Sequence, residues 1–147
     1  METSLKKENH MPQEYLAGKF ALPCHDLKEY SPLTLAYIGD AAYEMVVRTI
    51  LVRRANQQVN KLHKMASSLV SAEHQSKMVT VLEKVFTEEE EQVYKRGRNA
   101  KAGTRSRSAS ITEYRRATGL EAVIGYLYLK GEYDRIVDLM ETALEHV

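Results

Sequence analysis

The sequence has no tryptophan, three prolines and a single cysteine, Cys24, among 147 residues. One cysteine excludes an intrachain disulfide, and a reducing cytoplasm is therefore the expected location. The first fifteen residues contain lysines but no apolar stretch behind them, which argues against a secretory signal peptide. Lysine and arginine (21) nearly balance aspartate and glutamate (20), so the net charge of +1 by itself indicates no class of partner.

Alternation of apolar and polar residues, the pattern of a β-strand, is also rare. Apolar residues instead recur with helical spacing along most of the chain. A chain of this length can bury one hydrophobic core. The pattern predicts an all-α bundle of about six helices in a single domain, residues 26–147, after a flexible tail at residues 1–25. The expected helices are 32–53, a region 57–85 bent near Ser71, one from a Thr87–Glu90 capping box to a left-handed C-cap at Gly97, 111–130 and 132–146.

The most apolar segment, residues 33–52, is long enough to span a membrane but contains three charged residues. Asp40, Glu44 and Arg48 recur at intervals of four, so on a helix they form one polar stripe, and the last two are spaced for an ion pair. The segment is therefore predicted to be an amphipathic core helix, and no association with a membrane is expected.

Two carboxylates stand in unusually apolar, small-residue surroundings. Asp40 follows a glycine in "LAYIGDAAYEMVVR", and Glu121 lies in "ATGLEAVIGYLYL". For Glu121 alone, a surface glutamate on the polar side of a helix is the simpler interpretation. As a pair on facing helices, however, the two acids offer hard oxygen ligands to Mg²⁺, which takes one or two protein carboxylates plus substrate phosphate. A metal held in this way activates water and stabilises charge on a phosphodiester.

Cations are concentrated in the basic segment, residues 95–107, and no acid occurs between Glu91 and Glu113. Its glycines allow close approach of a ligand, and its neutral side chains add hydrogen-bond donors. Such a segment suits phosphate oxygens and predicts nucleic-acid binding, the alternative being a solvated loop on a helical regulatory or interaction module. The candidate contacts are Lys95, Arg96, Arg98, Asn99, Lys101, Thr104, Arg105 and Arg107.

Taken together, these motifs resemble the ribonuclease III family. "LAYIGDAAYEMVV" resembles the family's signature helix, and "ATGLEAVIGYLYL" is similar to its second catalytic helix. "AYIGDA", "FTEEE" and "KRGRNAKAGT" further resemble its short branch, Mini-ribonuclease III, and the likeness covers the chain from about residue 30 onward. It implies a homodimeric, Mg²⁺-dependent endonuclease that cleaves double-stranded RNA, leaving 5′-phosphate and 3′-hydroxyl ends. For this branch it also implies processing of the ends of the large-subunit (23S) ribosomal RNA precursor.

By the same resemblance, Asp40 matches the catalytic aspartate and Glu121 the metal-binding glutamate of the family. Ala36 and Thr118 stand where the motifs usually have Glu and Asp, so two of the four usual carboxylates are present. This departure predicts weaker metal affinity unless substrate phosphates complete the coordination. It also leaves an alternative, a non-catalytic dimeric RNA-binding factor in ribosome assembly.

Larger family members append a double-stranded-RNA-binding domain after the catalytic domain. Here 26 residues follow Glu121 (147 − 121), fewer than the roughly 40 that fold alone. The basic segment is therefore expected to hold the RNA, which in its A form is recognised largely by shape and phosphate contacts.

Overall fold

The computed structural model describes residues 12–100 and 110–145, and over those residues it is helical without a strand. The helices are α1 (Pro12–Lys19), α2 (Pro32–Arg54), α3 (Val59–Leu69), α4 (Ala72–Leu82), α5 (Glu88–Asn99), α6 (Ile111–Lys130) and α7 (Tyr133–Glu145). A 3₁₀ turn, Leu27–Glu29, precedes α2. The all-α prediction is confirmed, and α2 to α7 correspond to the six helices that the spacing predicted.

Most helix ends form where local side-chain chemistry places them. Ser31 and Ser71 cap α2 and α4 with their side chains, and the second of these separates α3 from α4 at the predicted bend. Thr87 and Glu90 form the expected capping box at the start of α5. Gly131, with φ of 86°, ends α6 in the left-handed conformation. These boundaries depend on short-range contacts, which is why a sequence pattern identifies them.

The predicted C-cap at Gly97 is wrong. Helix α5 continues to Asn99, and Gly97 lies buried inside it. A Cβ at Gly97 would lie 2.8 Å from the Cβ of Ala122 and 2.9 Å from the Cα of Gly119. The glycine therefore allows α5 to approach α6 closely instead of ending the helix.

Helix α6 lies at the centre of the domain. Its residues 117–120 and 122–125 are buried, and it packs against α2, α4, α5 and α7. A helix surrounded in this way is apolar on nearly all sides. Glu121 lies in the middle of this helix and is partly buried, between two runs of buried residues.

The crossing of α2 and α6 is a contact between two backbones. A Cβ at Gly39 would lie 1.7 Å from the carbonyl oxygen of Glu121, and one at Gly125 would lie 1.9 Å from the carbonyl oxygen of Leu35. Real Cβ atoms do not approach that closely, so both positions require glycine. Gly39 weakens α2 as a helix but brings its neighbour Asp40 against α6.

The N-terminal part of the described chain contains structure within the region predicted to be a tail. Residues Pro12–Lys19 form α1, and Gln13 Nε2 donates a hydrogen bond to the carbonyl oxygen of Tyr128 on α6. The flexibility expected for residues 1–25 stays a prediction, and residues 1–11 lie outside the described part. None of the described helices combines the length and hydropathy needed to cross a bilayer.

Candidate functional site

Asp40 and Glu121 meet at the α2–α6 crossing. Their side chains lie close enough to interact electrostatically, although 81 residues separate them in the sequence (121 − 40). Asp40 is exposed on α2, and Glu121 is partly buried on α6. The structure therefore brings the two predicted site residues together, with one of them open to a ligand. Their catalytic and metal-binding roles stay predictions.

The electrostatics of the pair depend on burial. Burial first, and then the hydrogen bond with Asp40 and its negative charge, together raise the pKa of Glu121 from the ordinary 4.5 to about 8. A hydrogen bond from the Gln75 side chain opposes the rise. Ionisation of Glu121 beside Asp40 is thus unfavourable unless a positive charge compensates it, which is the situation that a bound cation relieves.

The donor set fits Mg²⁺. Among residues 12–100 and 110–145 no third His, Cys, Asp or Glu joins the pair to form a larger cluster. Ala36 is apolar and buried, and the hydroxyl of Thr118 donates to the carbonyl oxygen of Tyr114 at 3.0 Å. Two carboxylates supply the hard oxygens that Mg²⁺ prefers, and this ion keeps several waters and substrate phosphates as its other ligands.

Gln75, on α4, belongs to the same cluster and was not identified from the sequence. Its side chain is 1% exposed, donates through Nε2 to the carbonyl oxygen of Val70 at 3.1 Å, and interacts with the carboxyl group of Glu121. The available signal was its spacing from Val79 and Leu82, which puts an amide on the buried face of an amphipathic helix. The spacing identifies the face, but it does not identify the neighbour.

Tyr43 supports the cluster from α2. Its hydroxyl donates to the carbonyl oxygen of Leu69 at 2.7 Å and lies 3.1 Å from the sulfur of Met78. Burial, and to a lesser degree the charge of Glu121, raises the pKa of the Tyr43 hydroxyl. The neutral hydroxyl thus fixes the turn between α3 and α4, the same turn to which Gln75 is bound.

The structure describes the first part of the basic segment. Residues 95–99 form the last turns of α5, and Gly97 packs against Ala122, the residue after Glu121. The basic segment therefore begins on a helix that packs against α6, the helix that carries Glu121. Four predicted contacts lie outside the described residues: Lys101, Thr104, Arg105 and Arg107.

The cations of α5 differ in their contacts. Lys95 Nζ lies 3.4 Å from a carboxylate oxygen of Glu91, an exposed pair of little energetic weight. The guanidinium of Arg98 lies 5.7 Å from the centre of the Tyr94 ring, and its Nε donates to Asn99 Oδ1 at 3.2 Å. Stacking on an aromatic ring holds Arg98 in place with its charge available to an anion.

We expect Glu121→Gln to stabilise the metal-free protein as the pH rises. Below about pH 4.5 the carboxyl is protonated in both the folded and the unfolded chain. Between about 4.5 and 8 the unfolded chain ionises and the folded chain resists, so this group lowers folding stability as the pH increases. Melting in EDTA is expected to show similar Tm values for variant and wild type near pH 5, with the variant higher by roughly 5 °C at pH 8.

Glu141→Gln is the matched control, since Glu141 is an exposed acid on α7. Its Tm difference from the wild type is expected to stay within about 1 °C across the same pH range. If Tm depends on pH in the same way for Glu121→Gln and the wild type, the pKa of Glu121 is not raised in the folded protein.

A family model and the most similar known proteins point to the same family. The model of the Ribonuclease III domain matches residues 33–132, a range that includes Asp40 and Glu121. Mini-ribonuclease 3 of Clostridium tetani is 48% identical over 120 residues, which cover 81% of this chain and 80% of that protein. Mini-ribonuclease 3 of Enterococcus faecalis is 42% identical over 124 residues, covering 83% and 94% respectively.

A solved structure shares the fold. The crystal structure of a protein from Fusobacterium nucleatum aligns with a TM-score of 0.75 at 31% sequence identity. The alignment covers 84% of this chain and 98% of that one. The helical arrangement that positions the carboxylate pair is therefore similar to that of an experimentally determined structure.

Proposed function

We propose, from the premise that this chain belongs to the ribonuclease III family, that Asp40 and Glu121 hold Mg²⁺ and cleave double-stranded RNA. The chain is an endoribonuclease of the ribonuclease III type, and the expected products carry 5′-phosphate and 3′-hydroxyl ends. The observation that carries the proposal is the approach of the two carboxylates at the α2–α6 crossing.

The residues of the chain have distinct tasks in this reaction. Asp40, exposed on α2, presents its carboxylate to the incoming RNA, while Glu121 completes the pair from the buried side. The contact between Gly39 and the Glu121 backbone sets the spacing of the two acids. When bound, Mg²⁺ supplies an activated water and stabilises negative charge on the phosphodiester.

The proposed substrate is the precursor of the 23S ribosomal RNA, cleaved near its ends in the cytoplasm. The support is the sequence identity of 41% to 48% with proteins named Mini-ribonuclease 3 from Clostridium tetani, Enterococcus faecalis and Staphylococcus aureus. The exposed, unpaired Cys24 is compatible with a reducing compartment.

The protein is proposed to act as a homodimer. The outer face of α2 exposes apolar side chains at helical intervals: Tyr37 is 82%, Met45 65% and Val52 56% exposed. Exposed apolar side chains at this spacing are typical of an interaction surface. It runs beside Asp40, so a two-fold pairing through α2 places two carboxylate pairs near one interface and opposite the two strands of a duplex.

RNA binding is assigned to the basic segment. Arg96 and Arg98 lie on α5 next to α6, and the remaining cations of the segment follow directly in sequence. Phosphate contacts of this kind provide affinity that is independent of base sequence.

The double variant Arg98→Ala, Lys101→Ala is expected to weaken binding to duplex RNA for every sequence tested. Loss of two phosphate contacts reduces the slope of log affinity against log salt by about 1 to 2, and the Tm is expected to stay within about 2 °C. Binding by fluorescence anisotropy at several salt concentrations measures the change. Lys77→Ala, Lys84→Ala removes the same charge elsewhere on the domain, and an equal loss there would contradict the assignment.

A cleavage assay tests the proposed function as a whole. Labelled duplex RNA is incubated with the protein in Mg²⁺, in EDTA, and in EDTA followed by excess Mg²⁺, with duplex DNA as the control substrate. Products are expected in Mg²⁺, absent in EDTA, restored by added Mg²⁺ and absent for DNA. Binding of RNA without divalent-dependent products would instead favour the non-catalytic ribosome-assembly factor.

A further inference from the structure

Gln75 is a buried polar side chain with one hydrogen-bond acceptor that has no partner among the described residues. It is 1% exposed, yet its Oε1 has no hydrogen-bond partner within residues 12–100 and 110–145. Buried amide oxygens are nearly always hydrogen-bonded, because an unpaired one costs stability. An apolar side chain of similar length at this position would avoid that cost. The amide therefore calls for an explanation other than packing.

The orientation of this amide is fixed. Nε2 donates to the carbonyl oxygen of Val70 at 3.1 Å, and a carbonyl accepts from the NH₂ end of the amide alone. Val70 lies in the turn between α3 and α4, which the Tyr43 hydroxyl holds through the carbonyl oxygen of Leu69. The same side chain interacts with the carboxyl group of Glu121. Oε1 is consequently a buried acceptor without a partner among the described residues, on a side chain next to Glu121.

We propose that Gln75 is a positioning residue of the cation site: its N–H holds Glu121 beside Asp40, and its free Oε1 accepts a hydrogen bond from the hydrated cation. This inference rests on the proposed function and adds a third polar group to a site with two acids. Mg²⁺ retains several waters when bound by few carboxylates, and these waters need acceptors. The arrangement gives the unpaired oxygen a partner when the cation binds.

Gln75→Met tests the inference, since methionine preserves the length of the side chain and removes the amide. The Mg²⁺ concentration for half-maximal cleavage of duplex RNA is expected to increase about tenfold. In the absence of RNA, the Mn²⁺-induced rise in Tm is expected to fall to less than half of the wild-type rise. Unchanged values of both quantities would show that Gln75 serves packing alone and would overturn the inference.

Ser76→Ala is the matched control on the same turn of α4. Ser76 is also buried, but its Oγ accepts from Arg116 Nη1 at 3.0 Å. Its loss is expected to lower the metal-free Tm while leaving both metal responses within about twofold of the wild type. Equal changes in the two variants' metal responses would mean that destabilised packing of α4, and not the amide, affects the site.

Gln75→Glu decides the question if the methionine variant does not fold. It keeps the shape of the side chain and places a third carboxylate beside Glu121, so the metal-free Tm is expected to fall. Because a cation relieves this repulsion, the Mn²⁺-induced rise in Tm is expected to exceed the wild-type rise. An equal rise would contradict the inference. Wild-type protein that gains Tm with Mn²⁺ yet cleaves no RNA would contradict the proposed function instead.

Discussion

Replacement of Asp40 by asparagine is expected to slow cleavage of duplex RNA by at least about 10³-fold without loss of the fold. Asparagine has the same shape but no negative charge, so the proposed metal site loses one of its two anionic ligands. A divalent cation at such a site lowers the transition-state free energy by several kcal/mol. Asp40 is exposed and lies beside Glu121, so the substitution removes repulsion and leaves the core intact. Single-turnover cleavage in Mg²⁺ measures the rate, and circular dichroism verifies the fold.

Glu44→Gln provides the control on the next turn of α2. This carboxylate forms the predicted ion pair with Arg48 at 2.5 Å, one turn along α2 from Asp40. Its rate is expected to stay within about twofold of the wild type, since an exposed i,i+4 pair contributes little. Cleavage by Asp40→Asn at the wild-type rate would remove Asp40 from the catalytic assignment.

The second large effect is expected from Gly39→Ala, which adds one methyl group at the α2–α6 crossing. The new Cβ would lie 1.7 Å from the carbonyl oxygen of Glu121 and 2.7 Å from its carbonyl carbon. These are backbone atoms of the central helix, which do not move aside as a flexible side chain does. We expect a loss of at least about 3 kcal/mol in the free energy of unfolding and a fall in Tm of roughly 10 °C or more.

Gly18→Ala is the corresponding control. A Cβ at Gly18, on α1, would find nothing within 4 Å, and alanine favours a helix more than glycine does. Its Tm is expected to remain unchanged or to rise slightly. Denaturant unfolding of both variants gives the two free energies, and a Gly39→Ala protein as stable as the wild type would show that the helices are not in backbone contact in solution.

Features that depend on contacts within a few residues were predictable from the sequence. The capping box at Thr87–Glu90, the bend at Ser71 and the end of α6 at Gly131 depend on neighbours within a few residues. Helical spacing likewise identifies the buried side of α2 and the polar stripe that carries Asp40. For this reason the helices, their order and both acids were predicted from the sequence and its resemblance to a family.

Features that depend on contact between distant segments were not predictable in this way. Gly97 has the sequence context of a C-cap, and its role inside α5 becomes evident from its contact with Gly119 on α6. Gly39 was recognised as costly for α2, but its partner was not. The sequence also gives no means of placing Gln75 beside Glu121, and the raised pKa of Glu121 depends on burial that no local pattern records.

The crossing at Gly39 also has a consequence for the timing of synthesis. Asp40 precedes Glu121 by 81 residues, and translation at about 5–20 residues per second separates their appearance by roughly 4–16 s. Until α6 has been synthesised, Gly39 of α2 has no helix backbone to pack against. An incomplete nascent chain that lacks α6 therefore contains Asp40 without Glu121, and the carboxylate pair forms only after α6 has emerged.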